Sequence, residues 1–246
     1  MVRRGIARSR AHATELIDAG GVTVAGLTQP KAASLVGPED HIGVEADAPR
    51  YVGRGGLKLE GAMSAFGIDP SGFHCLDAGA STGGFTDYLL QHGAASVVAV
   101  DVGRGQLVSK IANDPRVEVH DRTNVRFISA ADVGGPFDLV VADLSFISLC
   151  TVAAKLAEVA KPGGAMVLLV KPQFEVGRGK VGKGGVVTDP ALRREAVAKV
   201  VACLARSNIG AVAVAPSPVP GAKGNREYFI RAIAGEPPST DLEIPE

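Results

Sequence analysis

Short apolar runs alternate with stretches of helical periodicity over most of this chain. From His74 onward the apolar runs are HCLDAG, SVVAVD, VEVH, DLVVADL, AMVLLVK, AVAVAP and YFIRAI. Runs of this length suit strands buried on both faces, and strands that alternate with helices form parallel sheets covered by helices. The pattern predicts an α/β fold with a Rossmann-like, doubly wound and mostly parallel seven-stranded sheet.

One helix of this region is marked at both ends. Asp189 is a suitable N-cap, Pro190 occupies the first turn, and Gly210 follows the expected C-terminus. The last residues, EPPSTDLEIPE, are acidic and contain prolines, and they show no core-facing pattern. We expect a helix that ends before Gly210 and a tail that adds nothing to the core.

The first part of the chain predicts a separate, small α+β domain. Ser9 can cap a short helix that Gly20 and Gly21 end, and the runs VTV and HIGV predict two strands. In the Gly-rich segment PRYVGRGG, Tyr51 and Arg54 could contact a nucleic acid or could belong to an interdomain hinge. The predicted division is a small domain at 1–48, a linker at 49–57, a large domain at 58–235 and a tail at 236–246.

Charge is balanced over the whole chain but not locally. Basic and acidic residues number 26 each, so affinity for a polyanion must come from clusters. One cluster is the N-terminus, which has no acid in its first ten residues, and another is the Gly-rich loop at 177–185. The residues expected to contact RNA phosphates are Arg3, Arg4, Arg8, Arg10, Arg178, Lys180 and Lys183. A solvated terminus and a flexible surface loop are the alternatives.

The cysteines and the hydropathy exclude several classes of protein. Cys75, Cys150 and Cys203 are far apart and lack the spacing of metal ligands, so the sequence indicates neither a disulfide framework nor a metal site. No apolar run approaches the ~18 residues that span a bilayer. We therefore expect a cytoplasmic protein with no membrane segment.

The segment LDAGASTGGF, between a predicted strand and a predicted helix, is the candidate cofactor turn. Its glycines follow the pattern Gly79-x-x-x-Gly83-Gly84 behind Asp77, which differs from the G-x-G-x-x-G of dinucleotide folds. An acid here would repel a pyrophosphate but suits a cofactor that bears an ammonium and a sulfonium, and Asp101 ends the next strand, where a nucleoside ribose would lie. The sequence thus predicts S-adenosylmethionine, with a tight turn and a loop acid as the alternative. The residues expected to contact it are Asp77, Gly79, Ala80, Ser81, Thr82, Gly83, Gly84, Phe85, Asp101 and Asn124.

Four further charged residues are predicted to meet at the carboxyl edge of the sheet, where such folds bind ligands. Asp143 and Lys171 end two strongly apolar strands, Glu227 opens the last strand, and Lys58 lies near the start of the first helix of the large domain. The four could activate a weakly acidic hydroxyl or could form a structural ion-pair network. Because a free lysine has a pKa of about 10.4 and carboxylates stabilise its charged form, Lys171 could be a base or an orienting group.

Four motifs carry a resemblance to a known family. LDAGASTGGFT, VVADLSFISL, LVKPQFEVG and GNREYF occur in the order and wording of the TlyA family of ribosomal RNA methyltransferases, also called haemolysin A. The large domain is similar to the FtsJ-like, class I ribose methyltransferases. The resemblance implies methyl transfer from S-adenosylmethionine to the 2′-hydroxyl of a ribosomal RNA cytidine. Its Lys-Asp-Lys-Glu catalytic tetrad would fall on Lys58, Asp143, Lys171 and Glu227.

The same resemblance implies that residues 1–48 are an alpha-L RNA-binding domain. Family members usually carry a stretch before the position of Met1 that supplies the first helix of this domain, so we expect the natural start to lie upstream. Ribosomal RNA or ribosomal subunits are the implied partners, with the large subunit as the first expectation and the small subunit as a further one. The alternatives are a membrane-active haemolysin, an RNA-binding protein without catalysis, and a small-molecule methyltransferase.

Overall fold

The computed structural model describes residues 1–18, 21–24, 27–28, 35–44 and 50–245. At the N-terminus, helix α1 (Arg10–Asp18) accompanies strands β1 (Val22–Val24), β2 (Leu27–Thr28) and β3 (Ile42–Val44), which form an antiparallel sheet in the order β2-β1-β3. The Ser9 hydroxyl accepts a hydrogen bond from the amide of His12 at 3.0 Å, so it caps α1 as the sequence predicts. The helix stop predicted at Gly20 lies outside the described residues.

The large domain is built on seven strands, as the apolar runs predict. The strands are β4 (His74–Ala78), β5 (Ser96–Val100), β6 (Val117–His120), β7 (Phe137–Ala142), β8 (Ala160–Val170), β9 (Ile209–Pro216) and β10 (Tyr228–Ala234). Their order in the sheet is β6-β5-β4-β7-β8-β10-β9, and only β10 runs antiparallel to its neighbours. The predicted doubly wound, mostly parallel α/β fold is confirmed.

Helices cover both faces of this sheet. They are α2 (Arg54–Phe66), α3 (Gly84–Gln91), α4 (Ser109–Ala112), α5 (Ala153–Val159), α6 (Pro172–Glu175) and α7 (Pro190–Arg206). Successive strand residues point to opposite faces, so Cys75 packs with α2 and α3 whereas Leu76 packs with α5 and α7. Within the described part of the chain, no helix combines the length and the apolar character that crossing a bilayer would require.

The segment predicted as a linker at 49–57 is partly helical and packed. Helix α2 already begins at Arg54, and Tyr51 is only 2% exposed. The amide of Val52 donates to the Asp87 carboxylate at 2.8 Å, and the Tyr51 hydroxyl donates to Glu60 at 3.1 Å. The idea that Tyr51 stacks on a nucleic acid is therefore wrong, because its ring is buried.

In the C-terminal region, the prediction that the tail adds nothing to the core is wrong. Helix α7 ends at Arg206, before Gly210 as predicted, and Gly210 itself lies inside β9. A side chain at Gly210 would collide with the backbone carbonyl of Pro237, so this glycine admits the C-terminal segment beside the strand. That segment contributes to the core through Leu242 and Ile244, two apolar positions too widely spaced to form a recognisable pattern.

The structure contains a disulfide bond between Cys150 and Cys203, contrary to the expectation from sequence. The two cysteines are 53 positions apart, and they meet because the turn that follows β7 packs against α7. Sequence spacing carries no information on such a contact. Cysteine usage therefore no longer supports a reducing compartment.

Candidate active site

A cavity of about 520 Å³ opens at the carboxyl ends of β4, β5 and β7. This is the edge at which doubly wound sheets bind ligands, because the loops diverge there. Four of the predicted cofactor residues line it, together with Asp143 and residues 144–147. The four are Gly79, Ser81, Asp101 and Asn124.

The turn after β4 requires glycine at position 79. Gly79 has a φ of 89°, and a Cβ there would lie 2.6 Å from the carbonyl oxygen of Asp143 and 3.1 Å from the side chain of Leu144. A side chain would therefore fill the space between the turn and the segment that follows β7. The absence of a side chain leaves backbone exposed to a ligand in the cavity.

Asp101 and Asn124 are fixed by backbone amides beside this turn. The Asp101 carboxylate accepts from the amides of Ser81 at 2.9 Å and Gly103 at 2.7 Å. The Asn124 side chain accepts from the amide of Arg126 at 3.0 Å and so caps a short 3-10 turn. Both side chains are held in place before any ligand is present, as a preformed site requires.

The other predicted cofactor residues shape the turn and do not line the cavity. A Cβ at Gly84 would lie 2.8 Å from the carbonyl oxygen of Val52, so glycine here permits the close approach of α3 to the start of α2. Phe85 is 3% exposed and packs in the core, with its ring 6.1 Å from that of Phe229. Ala80, Thr82 and Gly83 are likewise absent from the lining.

Asp77 lies beneath the turn and is fully buried. It accepts a hydrogen bond from the Thr86 hydroxyl at 2.6 Å, while its second oxygen has no hydrogen-bond partner among the described residues. Burial, reinforced by the nearby Asp143, raises the pKa of this carboxyl from 3.8 to about 7 against the opposing effect of the Thr86 bond. Asp77 thus supports the turn from inside the protein and does not reach the cavity.

We expect Asp77→Asn to change how stability depends on pH. The folded-state pKa is raised, so the free energy of unfolding is highest below about pH 4 and falls as the pH rises through about 7, where the buried carboxyl ionises. The difference between the two pKa values is equivalent to about 4 kcal/mol. The amide of asparagine keeps an oxygen for Thr86 and carries no charge. Chemical denaturation of both proteins at about pH 5 and about pH 8 should show a lower free energy of unfolding at the higher pH in the natural chain only. An equal decrease in Asp77→Asn would contradict the prediction.

The four charged residues predicted at the sheet edge form two ion pairs. The Lys58 ammonium contacts the Glu227 carboxylate at 2.6 Å, with both side chains buried. The Lys171 ammonium contacts Asp143 at 2.5 Å, with side chains 10% and 21% exposed. Asp143 also lines the cavity, so the second pair borders the candidate cofactor site.

The reversed direction of β10 brings the two pairs to one edge. Tyr228, the first residue of β10, pairs with Val170, the last residue of β8. Glu227 precedes Tyr228 and Lys171 follows Val170, so both residues lie just beyond that pair. Asp143 directly follows the neighbouring strand β7. The topology therefore assembles residues that are up to 169 positions apart in sequence.

Sequence reasoning missed three residues of this region. The Lys171 ammonium donates a hydrogen bond to the Ser145 hydroxyl at 2.8 Å. Phe146 is 91% exposed, has a φ of 65° and lines the cavity. Glu175 is buried and contacts the segment after Asp143. The motif VADLSF was the available signal for the first two, since polar and aromatic residues directly after a strand end lie at the binding edge.

The predicted RNA-contacting residues have different environments. Arg3, Arg8 and Arg10 are exposed. The guanidinium of Arg4 donates to the backbone carbonyls of Asp40 and Gly37 at 2.6 Å, so Arg4 also holds a turn of the small domain. Lys180 pairs with Glu195 at 2.5 Å, and the side chains of Arg178 and Lys183 lie outside the described part of the structure.

No cluster of histidine, cysteine or carboxylate side chains suited to a metal ion occurs in the described ranges. The ionisable groups at the sheet edge instead pair with one another.

Comparisons with known proteins extend over nearly the whole chain. The model of the FtsJ-like methyltransferase family matches residues 51–233. The 16S/23S rRNA (cytidine-2′-O)-methyltransferase TlyA of Mycobacterium tuberculosis is 53% identical over 94% of this chain and 86% of its own. Hemolysin A of Brachyspira hyodysenteriae is 40% identical over 93% of this chain and 95% of its own. A solved structure of a protein named as a hemolysin from Streptococcus thermophilus has a TM-score of 0.79 at 35% identity, covering 95% of this chain and 86% of that one.

Proposed function

Since the chain belongs to the FtsJ-like methyltransferase family, among its TlyA members, we propose that it methylates the ribose 2′-hydroxyl of a cytidine in ribosomal RNA. The observation that carries the proposal is the Asp143–Lys171 ion pair at the border of the cavity. It sets a hydrogen-bonding ammonium beside the place where a methyl donor would bind. A target hydroxyl could therefore meet both groups.

The cavity fits S-adenosylmethionine, the cofactor that this family uses. Gly79 leaves a cradle that a Cβ would fill, and the Asp101 carboxylate lies at the end of β5, where α/β folds bind the hydroxyls of a nucleoside ribose. The acids around the cavity, Asp101 and Asp143, suit a cofactor with positive charge. When bound, the cofactor supplies an activated methyl group.

We assign the catalytic work to Lys58, Asp143, Lys171 and Glu227. Asp143 holds the Lys171 ammonium, and the Lys58–Glu227 pair supports the same edge from α2 and the start of β10. A hydroxyl bound by Lys171 would have its oxygen aligned with the methyl carbon, which is the main requirement of a transfer between two bound reactants. As the oxygen gains the methyl group, the methyl–sulfur bond of the cofactor would break and the hydroxyl proton would pass to water.

The geometry supports the orienting role for Lys171 over that of a base. The Lys171 ammonium donates to the Ser145 hydroxyl at 2.8 Å and lies 2.5 Å from the Asp143 carboxylate, and an ammonium donates hydrogen bonds but accepts none. Lys171 would then hold the 2′-oxygen through an N–H bond. An RNA-binding protein without catalysis would have no need of this tetrad, whereas all four of its residues are present at the edge where transfer would occur.

Exposed aromatic and basic side chains near the cavity support an RNA substrate. Phe146 lines the cavity and Phe127 is 75% exposed directly after Arg126, which also lines it. Unpaired bases stack on such rings, and arginines bind the phosphates between them. The exposed arginines of the small domain suit the same partner, and we propose that residues 1–48 form an alpha-L type RNA-binding domain. Ribosomal subunits are the proposed form of the substrate, which would locate the reaction in the cytoplasm.

The test is transfer of radiolabelled methyl from S-adenosylmethionine to ribosomal subunits that lack the modification, followed by nuclease mapping. Separate reactions should contain the large subunit, the small subunit and deproteinised RNA. We expect label in a 2′-O-methylated cytidine with the natural chain and none with Asp143→Ala. Absence of label from every RNA, despite measured cofactor binding, would contradict the proposal.

A further inference from the structure

Ser145 is a hydroxyl next to the catalytic ammonium that the tetrad does not include. It lies two residues after Asp143, is exposed, and accepts a hydrogen bond from the Lys171 Nζ at 2.8 Å. It also lines the cavity assigned to the cofactor. The side chain thus contacts both Lys171 and the cavity without belonging to either ion pair.

An ammonium group has three N–H bonds in a tetrahedral arrangement. Asp143 alone would fix one contact and leave Lys171 free to rotate about it. The Ser145 hydroxyl accepts a hydrogen bond from the same nitrogen at 2.8 Å, so a directional contact adds to the Asp143 ion pair and limits this rotation. The ammonium can then present its remaining N–H groups to a substrate oxygen over a narrower range of directions.

The segment that follows Ser145 is held in place by a buried acid. The Glu175 carboxylate, 3% exposed, accepts from the Ser148 hydroxyl at 2.5 Å and from the amide of Leu149 at 2.8 Å. The backbone carbonyl of Glu175 accepts in turn from Lys199 at 2.6 Å. Glu175 follows Lys171 by one turn of α6, so the loops after β7 and β8 are joined at two points, once through Ser145 and once through Glu175.

We infer that Ser145 is a positioning residue of the methyl transfer, which sets the direction in which Lys171 meets the target hydroxyl. The inference rests on the proposed function and adds a fifth side chain to the site. Ser145 acts through Lys171, so its loss should lower the rate of transfer far more than it lowers the affinity for RNA or for the cofactor whose cavity it lines.

The experiment compares Ser145→Ala, Ser145→Thr and the control Ser64→Ala in steady-state methylation of undermethylated ribosomal subunits. Ser64 is exposed on α2 and forms no side-chain hydrogen bond that the structure records, so its loss should have no effect. We expect kcat to fall about 10- to 100-fold in Ser145→Ala, the range for a lost hydrogen bond to a charged group, with KM for the subunit unchanged. Threonine keeps the hydroxyl and should restore kcat to within about threefold of the natural chain. Calorimetric titration should show that the affinity for S-adenosylmethionine changes far less than kcat in Ser145→Ala, and the thermal unfolding midpoint should be the same in all four proteins.

Three outcomes would overturn the inference. They are a kcat in Ser145→Ala within about twofold of the natural chain, a rise in KM for the subunit without a fall in kcat, and a failure of threonine to restore kcat. The activity of the natural chain distinguishes a failure of this inference from a failure of the proposed function. If the natural chain itself transfers no methyl group to any RNA, the proposed function fails, whereas an active natural chain with an equally active Ser145→Ala refutes only the role of Ser145.

Discussion

Replacing Lys171 by alanine should abolish methyl transfer while S-adenosylmethionine still binds. Lys171 contacts Asp143 and Ser145, and it is not among the residues that line the cofactor cavity. Loss of the ammonium removes the group that would hold the target hydroxyl, and removal of one positioned hydrogen-bond donor typically lowers a rate by about 10²- to 10³-fold. Label incorporation into ribosomal subunits measures the first effect and calorimetric titration with S-adenosylmethionine measures the second.

Lys155→Ala is the matched control for this variant. Lys155 lies on α5 and pairs with Glu158 on the surface at 2.7 Å, so its removal should cost little in stability and nothing in transfer. Near-normal transfer by Lys171→Ala would refute the assigned role. Loss of cofactor binding along with transfer would show instead that Lys171 belongs to the cofactor site.

Gly79→Ala should weaken both cofactor binding and transfer. The new Cβ would lie 2.6 Å from the Asp143 carbonyl oxygen, and alanine is strained at a φ of 89°. Strain of this kind costs about 1–3 kcal/mol, and moving Asp143 displaces the cavity wall and the Lys171 ion pair together. We expect cofactor affinity to fall by about 10- to 100-fold and transfer to fall by more.

Gly72→Ala is the control that separates the effect of backbone strain from that of the close contact with Asp143. Gly72 has a φ of 75°, but a Cβ there has no neighbour within 4 Å among the described atoms, so Gly72→Ala reproduces the strain without the contact. We expect Gly72→Ala to lower the thermal unfolding midpoint and to leave cofactor affinity unchanged. Equal cofactor affinity in the two variants would show that the approach of Asp143 to Gly79 is unimportant.

The sheet could be predicted because its strands are buried on both faces. A strand such as DLVVAD must be apolar at nearly every position, so its sequence differs from that of its surroundings. The cap of α7 by Asp189 was also predictable, since a cap depends on residues within one turn, and the side chain accepts from the amide of Ala191 at 2.8 Å. Local chemistry and burial are both visible in a sequence.

Contacts between distant segments were not predictable. Gly210 follows the end of α7 as predicted, but the close approach of Pro237 that this glycine permits could not be inferred from the sequence. The Cys150–Cys203 bond depends on how a turn packs against α7. Both features require the tertiary structure, and neither leaves a pattern of fixed spacing.

The candidate site likewise contains some contacts that could be predicted from the sequence and others that could not. The proximity of Asp143 and Lys171 could be predicted from the sequence, because the carboxyl ends of parallel strands lie at one edge of the sheet. The contacts of Ser145 and Glu175 could not be predicted, because they depend on the path of two loops. Asp77 was assigned to the ligand from its place in the motif, whereas its side chain points into the protein and is fully buried.

The position of β10 constrains the order in which this protein can be completed during synthesis. Although β10 is the last strand in sequence, it lies between β8 and β9 in the sheet. The walls of the cofactor cavity are all encoded before residue 153, yet β9 has no partner strand until β10 has left the ribosome. The edge of β8 stays open for the same interval, and an open edge can pair with another chain. A nascent chain can thus assemble its cofactor site early, while Glu227 and the final core arrive together in the last step.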